Sequence, residues 1–209
     1  MQTAKSQITR RKLLDAARKE FARHGIAGAR VDRIAAASSV NKQRLYANFT
    51  NKEGLFSAVI SDAYEDLTRQ VPVPDTLEAA RRYVGDIFDY HAKDRTLAHL
   101  IAWEGLYYGG QDFPDREARA AYYRDKCGTL NEALGRIGLT ETAHLVLTLI
   151  AIATWPYVAE QQRALLAPEG EGSVSLRETL MRQGRAVVEA TVAQAAQPQQ
   201  SRPTAVESA

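Results

Sequence analysis

Between residues 42 and 48 the chain carries Lys42, Gln43, Arg44, Tyr46 and Asn48, five polar side chains crowded around a single leucine. Leu45 and Phe49 lie at i and i+4 and can both turn inward on a helix, which leaves the other five facing out. Such side chains suit nucleic acid. Lysine and tyrosine reach phosphate oxygens, and arginine, glutamine and asparagine form paired hydrogen bonds with base edges. The elements that must position them lie just upstream. Val31, Ile34 and Ala35 mark the inner face of a short helix, Ser38-Ser39 interrupts it, Val40 is an apolar plug, and Asn41 is suited to cap the helix that follows. The spacing predicts a helix-turn-helix whose recognition helix begins at Lys42.

Charge is distributed in the same sense. Over the whole chain 27 Lys and Arg nearly balance 25 Asp and Glu. Residues 1–52, however, hold 12 basic and 3 acidic side chains, leaving 15 basic and 22 acidic for the remainder. A basic head on an acidic body is the electrostatic footprint of a module that meets a polyanion. A solvated helical face would account for Arg10-Arg11-Lys12 and Arg18-Lys19 alone, but not for their joining a helix-turn-helix pattern.

The rest of the composition bounds the answer. The chain has 209 residues and 45% hydrophobic content, enough for a substantial core. Cys127 is the one cysteine, so no internal disulfide can form and a reducing compartment is expected. The start, MQTAKSQITRR, has no apolar core of a secretory signal. The longest apolar run, Leu145 to Trp155, is shorter than the ~20 residues that cross a bilayer and reads as a buried helix. The expectation is a cytoplasmic protein with no membrane partner.

No segment shows strand alternation or a hairpin signal, so the fold class is all-α. Helices are predicted over about Thr9–His24, ended by Gly25, then through the helix-turn-helix, and from Asn51 as cap into a fourth helix. Val71-Pro72-Val73-Pro74-Asp75 breaks the chain. Further helices follow at Thr76–Lys93, Thr96–Tyr108, Asp115–Ile137, Thr140–Leu166 with a kink at Pro156, and Ser175–Ala195. The loop Pro168–Ser173 separates the last two, and 196–209 is expected to be a disordered tail.

In order and spacing, Leu14-Asp15-Ala16-Ala17, Phe21, Gly25, Ile34-Ala35, Val40, Leu45-Tyr46, Phe49, Lys52-Glu53 and Leu55 resemble the TetR family of bacterial transcriptional regulators. The likeness covers about residues 8–60; beyond them it extends only to length, helical content and order of elements. Two positions depart from the pattern: Arg30-Val31 stands where Ser or Thr often opens the first helix of the motif, and Ser39 stands at a turn that often holds Gly. The resemblance implies a three-helix DNA-binding head at 1–52, a connecting helix at 53–71, and an effector-binding and dimerisation body at 76–195.

It further implies a homodimer on a palindromic double-stranded DNA operator, acting most often as a repressor released by a small-molecule effector. Lys42, Gln43, Arg44 and Asn48 then fall at base-edge or nearby positions, and Tyr46 and Lys52 at phosphate positions, with Arg30 able to reach a phosphate directly. For the effector, taken as hydrophobic or aromatic, the candidates are Tyr83, Phe88, Trp103, Glu104, Tyr107, Tyr123, Cys127 and Trp155. A stripe of Leu180, Gly184, Val187, Val188, Thr191 and Ala195 on the last helix is expected to form the dimer surface with the helix from Thr142 to Leu166.

No enzyme is expected. Gly105, Gly109 and Gly110 lack the spacing of a nucleotide-binding loop, His24, His91, His99 and His144 lack metal-ligand spacing, and no cofactor motif is present. The alternative is a helical small-molecule-binding protein or enzyme whose basic head is incidental; turnover of a metabolite would favour it.

Overall fold

The computed structural model describes residues 4–166 and 175–197, and within them every regular element is a helix. The helices are α1 (Ala4–Gly28), α2 (Val31–Ser38), α3 (Lys42–Asn48), α4 (Lys52–Gln70), α5 (Leu77–Lys93), α6 (Thr96–Tyr108), α7 (Arg116–Ala133), α8 (Leu139–Val158), α9 (Glu160–Leu166) and α10 (Leu176–Ala195). The predicted loop at Pro168–Ser173 and the tail from 198 lie outside the described residues.

Local chemistry accounts for several helix ends. Asn41, Asn51, Thr76 and Ser175 each place a side-chain oxygen on the backbone N–H three residues on, satisfying a donor the helix cannot. Ser39 closes α2 in the left-handed region at φ 55°. Three boundaries differ from expectation. The α1 segment continues to Gly28 across a break at Gly25, whose φ of 65° and ψ of −179° only glycine adopts readily. Helix α7 stops at Ala133 rather than Ile137, because Gly135 and Arg136 both turn to positive φ and Arg136 N–H bonds back to the Asn131 carbonyl at 2.8 Å. The Thr140–Leu166 helix divides at Ala159 into α8 and α9, just after Pro156.

Head and body share one continuous core. In the head, Leu13, Ala17 and Phe21 of α1 meet Ile34, Leu45, Leu55 and Phe56, and the Phe21 and Phe56 rings pack edge to face at 5.1 Å. In the body α10 lies along α5 at close range. A Cβ on Gly184 would fall 2.3 Å from Val84 Cγ2, and Met181 occupies the space over Gly85. This corrects part of the expected dimer surface: Leu180, Gly184, Val187 and Val188 of the stripe are turned against the chain's own body, with Val188 fully buried, while Thr191 is half-buried and Ala195 exposed.

Helix α8 is also not wholly buried, as its apolar run had suggested. Leu145, Val146, Leu149 and Ala153 face the core, while Leu139, Leu147 and Trp155 are 60%, 67% and 58% exposed. At 20 residues it has the length and apolar composition of a membrane span, which the shorter run in the sequence concealed, but a third of it is buried inside the body.

His91, 2% exposed between α5 and α8, faces Thr154 with Nε2 and Oγ1 3.4 Å apart. Burial pushes its pKa down to about 4. The folded chain therefore refuses a proton that the unfolded chain accepts below about 6.5. Stability present above pH 6.5 is expected to fall progressively towards pH 4, by at most about 3 kcal/mol from this residue. Denaturant melts at pH 7 and pH 5 check this: His91→Leu should flatten the loss, and an equal loss in both proteins would assign it elsewhere.

Candidate nucleic-acid interface and ligand cavity

The second helix of the motif, α3, is held from beneath by Leu45 and Phe49, both buried, and Phe49 is covered in turn by the Arg10 guanidinium at 4.6 Å from the ring centroid. Lys42, Gln43, Arg44 and Tyr46 are exposed on the outer face. The Asn41 side-chain oxygen accepts from Arg44 N–H at 2.8 Å, so the cap fixes the first turn while the Arg44 guanidinium stays outside. Lys52, at the start of α4, donates to the Ala27 carbonyl at 3.4 Å.

Three side chains behave differently from their simplest reading. Asn48 is half-buried and donates to the Arg44 carbonyl at 2.7 Å, so its amide is engaged within its own helix. Lys42 is paired with the exposed Asp32 carboxylate of α2 at 2.5 Å, a hydrogen bond that holds it charged. At the start of α2 no side chain caps the helix, and α1 holds the opening residue instead. Glu20 of α1 accepts from Arg30 N–H at 2.9 Å and from Arg33 Nε at 2.7 Å. Burial works against the Glu20 carboxylate, but these hydrogen bonds keep its pKa below the usual value. The exposed Arg30 side chain is left beside the helix start.

Apart from this surface, a cavity of about 740 Å³ opens between α4 and α7. Ser61, Tyr64, Glu65, Thr68 and Arg69 form one wall; Asp115, Ala118, Arg119, Tyr122 and Tyr123 form the other. Two hydroxyl contacts bridge the walls: Thr68 Oγ1 lies 3.2 Å from Tyr122 Oη, and Tyr123 Oη donates to Tyr64 Oη at 3.3 Å. At one end the Ser57 hydroxyl donates to Asp115. Burial drives the Tyr64 phenol pKa well up, so it remains a neutral donor. Deeper in, Arg119 makes two hydrogen bonds of 2.7 Å to the Glu104 carboxylate of α6, each side chain only 14% exposed.

Helix α6 joins this cavity to the head. Next to Glu104, the Trp103 ring lies over Gly25 and its Nε1–H donates to the Ala22 carbonyl at 3.1 Å. One turn on, Tyr107 Oη donates to Glu53 Oε1, near the start of α4, at 3.4 Å.

Known proteins share both halves of this plan. Residues 13–59 match the family described as bacterial regulatory proteins, tetR family, and residues 80–192 match the tetracyclin repressor-like C-terminal domain. The HTH-type transcriptional repressor SCO4008 of Streptomyces coelicolor is 36% identical over 188 residues, spanning 88% of this chain and 96% of that protein. The chain belongs to the TetR family. The repressor NicS of Pseudomonas putida is 29% identical over 121 residues, covering 52% of this chain and 57% of that protein. Among solved structures, a putative transcriptional regulator from S. coelicolor, SCO4942, aligns with a TM-score of 0.66 and 30% identity over 89% of this chain and 97% of that one.

Within this TetR-family regulator the ligand candidates scatter. Tyr123 lines the cavity, Glu104 touches it through Arg119, and Tyr83 is buried behind it on α5. The others do not line it. Phe88 packs on Tyr157, with centroids 5.0 Å apart, Trp103 and Tyr107 contact the head, Cys127 is half-buried on α7, and Trp155 is exposed on α8. Helical spacing marks aromatic faces without saying which neighbour each face meets. Tyr64 and Thr68 escaped notice because α4 reads as a connector, although their i, i+4 spacing on its polar side was visible.

Proposed function

We propose that this chain works as a homodimeric repressor whose two α3 helices enter successive major grooves of a palindromic operator, and that an effector in the α4–α7 cavity releases it. The observation that carries the DNA half is α3 itself: buried Leu45 and Phe49 hold Lys42, Gln43, Arg44 and Tyr46 exposed to solvent. In this reading Arg44 is the sharpest base reader, bidentate to guanine. Gln43 reads a neighbouring base edge, while Tyr46, Lys52 and Arg30 bind phosphates. Asn48 supports the backbone from which Arg44 projects. Lys42 contributes once phosphate competes with Asp32 for its ammonium.

The release half rests on α6, a single helix that touches the cavity through Glu104 and the head through Trp103 and Tyr107. An effector that shifts Arg119 moves the carboxylate it grips, and with it the indole seated on the first helix of the head. Population of the DNA-competent spacing changes only by the difference in effector affinity between the two states.

The test is a salt titration of binding to the chain's own upstream region and to a scrambled duplex. Arg44→Ala should cost about 1–3 kcal/mol on the operator and little on the scrambled duplex. Lys52→Ala should weaken both and flatten the salt slope by about one counterion. Equal loss on both duplexes for Arg44→Ala would remove its base-reading role, and salt-insensitive absence of binding would remove the proposed function.

A further inference from the structure

We propose that the effector is an organic anion, an apolar body bearing one carboxylate, and that Lys126 of α7 seats that carboxylate behind the tyrosine wall of the cavity. This rests on the α4–α7 cavity being the effector site.

The inward face of α7 runs Arg119, Tyr122, Tyr123, Lys126 and Leu130, at helical spacing. Lys126 is 4% exposed, the one Lys or Arg so deeply buried among the described residues. Its ammonium faces three rings, at 5.1 Å from the centroid of Tyr83, 5.8 Å from Tyr122 and 5.9 Å from Tyr123. Two of those rings are also cavity wall.

What Lys126 lacks is an anion. Other well-covered cations have one: Arg119 holds Glu104, and Arg18 holds Asp94 at 3.0 Å. Within the described structure no carboxylate and no hydrogen-bond acceptor is paired with Lys126, and ring faces are the only groups its ammonium is shown to meet. Burial accordingly pushes its pKa down to about 8, which still leaves it mostly charged at pH 7. A methionine would fill the same space with no charge to desolvate, so a purely structural role gives no reason for the amine. A carboxylate supplies the missing acceptor and charge. Tyr83, whose pKa is raised by burial, stays protonated.

The experiment compares three ligands of one shape and different head charge, phenylbutyrate, phenylbutanamide and phenylbutylammonium. Each is titrated calorimetrically into the full chain, its Lys126→Met variant and its Lys126→Arg variant, with release of the bound upstream duplex followed in parallel. Lys126→Met removes an uncompensated buried charge and is expected to fold, which its melting curve verifies. The expected result is that the carboxylate binds the unaltered chain about tenfold or more tighter than the amide. Lys126→Met should erase that preference and Lys126→Arg should keep it. The proposal is overturned if amide or ammonium binds as well as the carboxylate, if the preference survives in Lys126→Met, or if the carboxylate fails to bind at millimolar concentration. Head-group-indifferent binding that releases DNA would overturn the anion inference alone and leave the effector site standing. Carboxylate binding through Lys126 without release would uphold the anion site and remove its effector role.

Discussion

Leu147→Glu is expected to leave each chain folded and to lower affinity for a two-half-site operator by about 10²–10⁴-fold, the loss that follows when two linked heads become independent. Leu147 sits on the side of α8 that faces away from Leu145 and Leu149, and it is 67% exposed. Ala143, Ala151 and Trp155 continue the same exposed side at intervals of four residues. Helix α10 packs beside α8, and its outer face carries Ala186, Ala190 and Ala193, small enough for another helix to approach closely. Two helices with a contiguous apolar and small-residue face, and no partner among the described residues, fit a self-complementary surface in which a second copy supplies the same pair.

Glutamate at the centre would bring two like charges together across the two-fold axis without removing any contact inside the subunit. Sedimentation velocity and operator binding check it together. Monomers that bind single half-sites weakly are the expected outcome. A stable dimer in the variant would place the interface on another face.

Gly25→Ala should cost about 2–5 kcal/mol of stability, through two independent causes. At φ 65° and ψ −179° the backbone of residue 25 lies where an L side chain is strained. A Cβ there would also fall 2.7 Å from Trp103 Cε3 and 2.8 Å from Cδ2. The indole cannot simply withdraw, because its Nε1–H is held by the Ala22 carbonyl. Thermal melts of the single variant and of Gly25→Ala with Trp103→Ala, read against Trp103→Ala alone, separate the causes. In the absence of the ring only the backbone cost should remain. An unchanged melting temperature in Gly25→Ala would remove both arguments. Because the Trp103–Gly25 contact is one of the ties between α6 and the head, the single variant should also weaken any effector's influence on DNA binding.

Where the sequence could be read, it was read through interactions that act over a few residues. Asn41, Asn51 and Thr76 announce helix starts because a side-chain oxygen reaches only the next turn. The inward order Leu13, Phe21, Ile34, Leu45, Phe49 follows from spacing on helices whose partners are their immediate successors in the chain. The end of α7 was misplaced by the same kind of reasoning. Gly138 is the more obvious stop, but Gly135 and Arg136 had already turned the backbone. A positive φ at an arginine leaves no mark in composition.

The cavity and the exposed apolar face of α8 belong to a different category. The sequence alone determined that this chain is all-helical, that it bears a TetR-type head, and that Lys42, Gln43, Arg44 and Tyr46 stand outside its core. The helices and their outward residues depend on the period of one helix and on caps within reach of it, and the head on the resemblance its residues carry. Only the tertiary structure decided that Gly184 and Val188 serve α5 of the same chain, that Glu20 of α1 holds Arg30 and Arg33 at the start of α2, that Trp103 locks onto Gly25, and that Lys126 is buried without an anion. An apolar stripe at helical spacing looks the same whichever neighbour it meets, and a lysine looks solvated until rings from other helices close around it. Those outcomes are fixed by how helices far apart in sequence cross, which no local periodicity encodes.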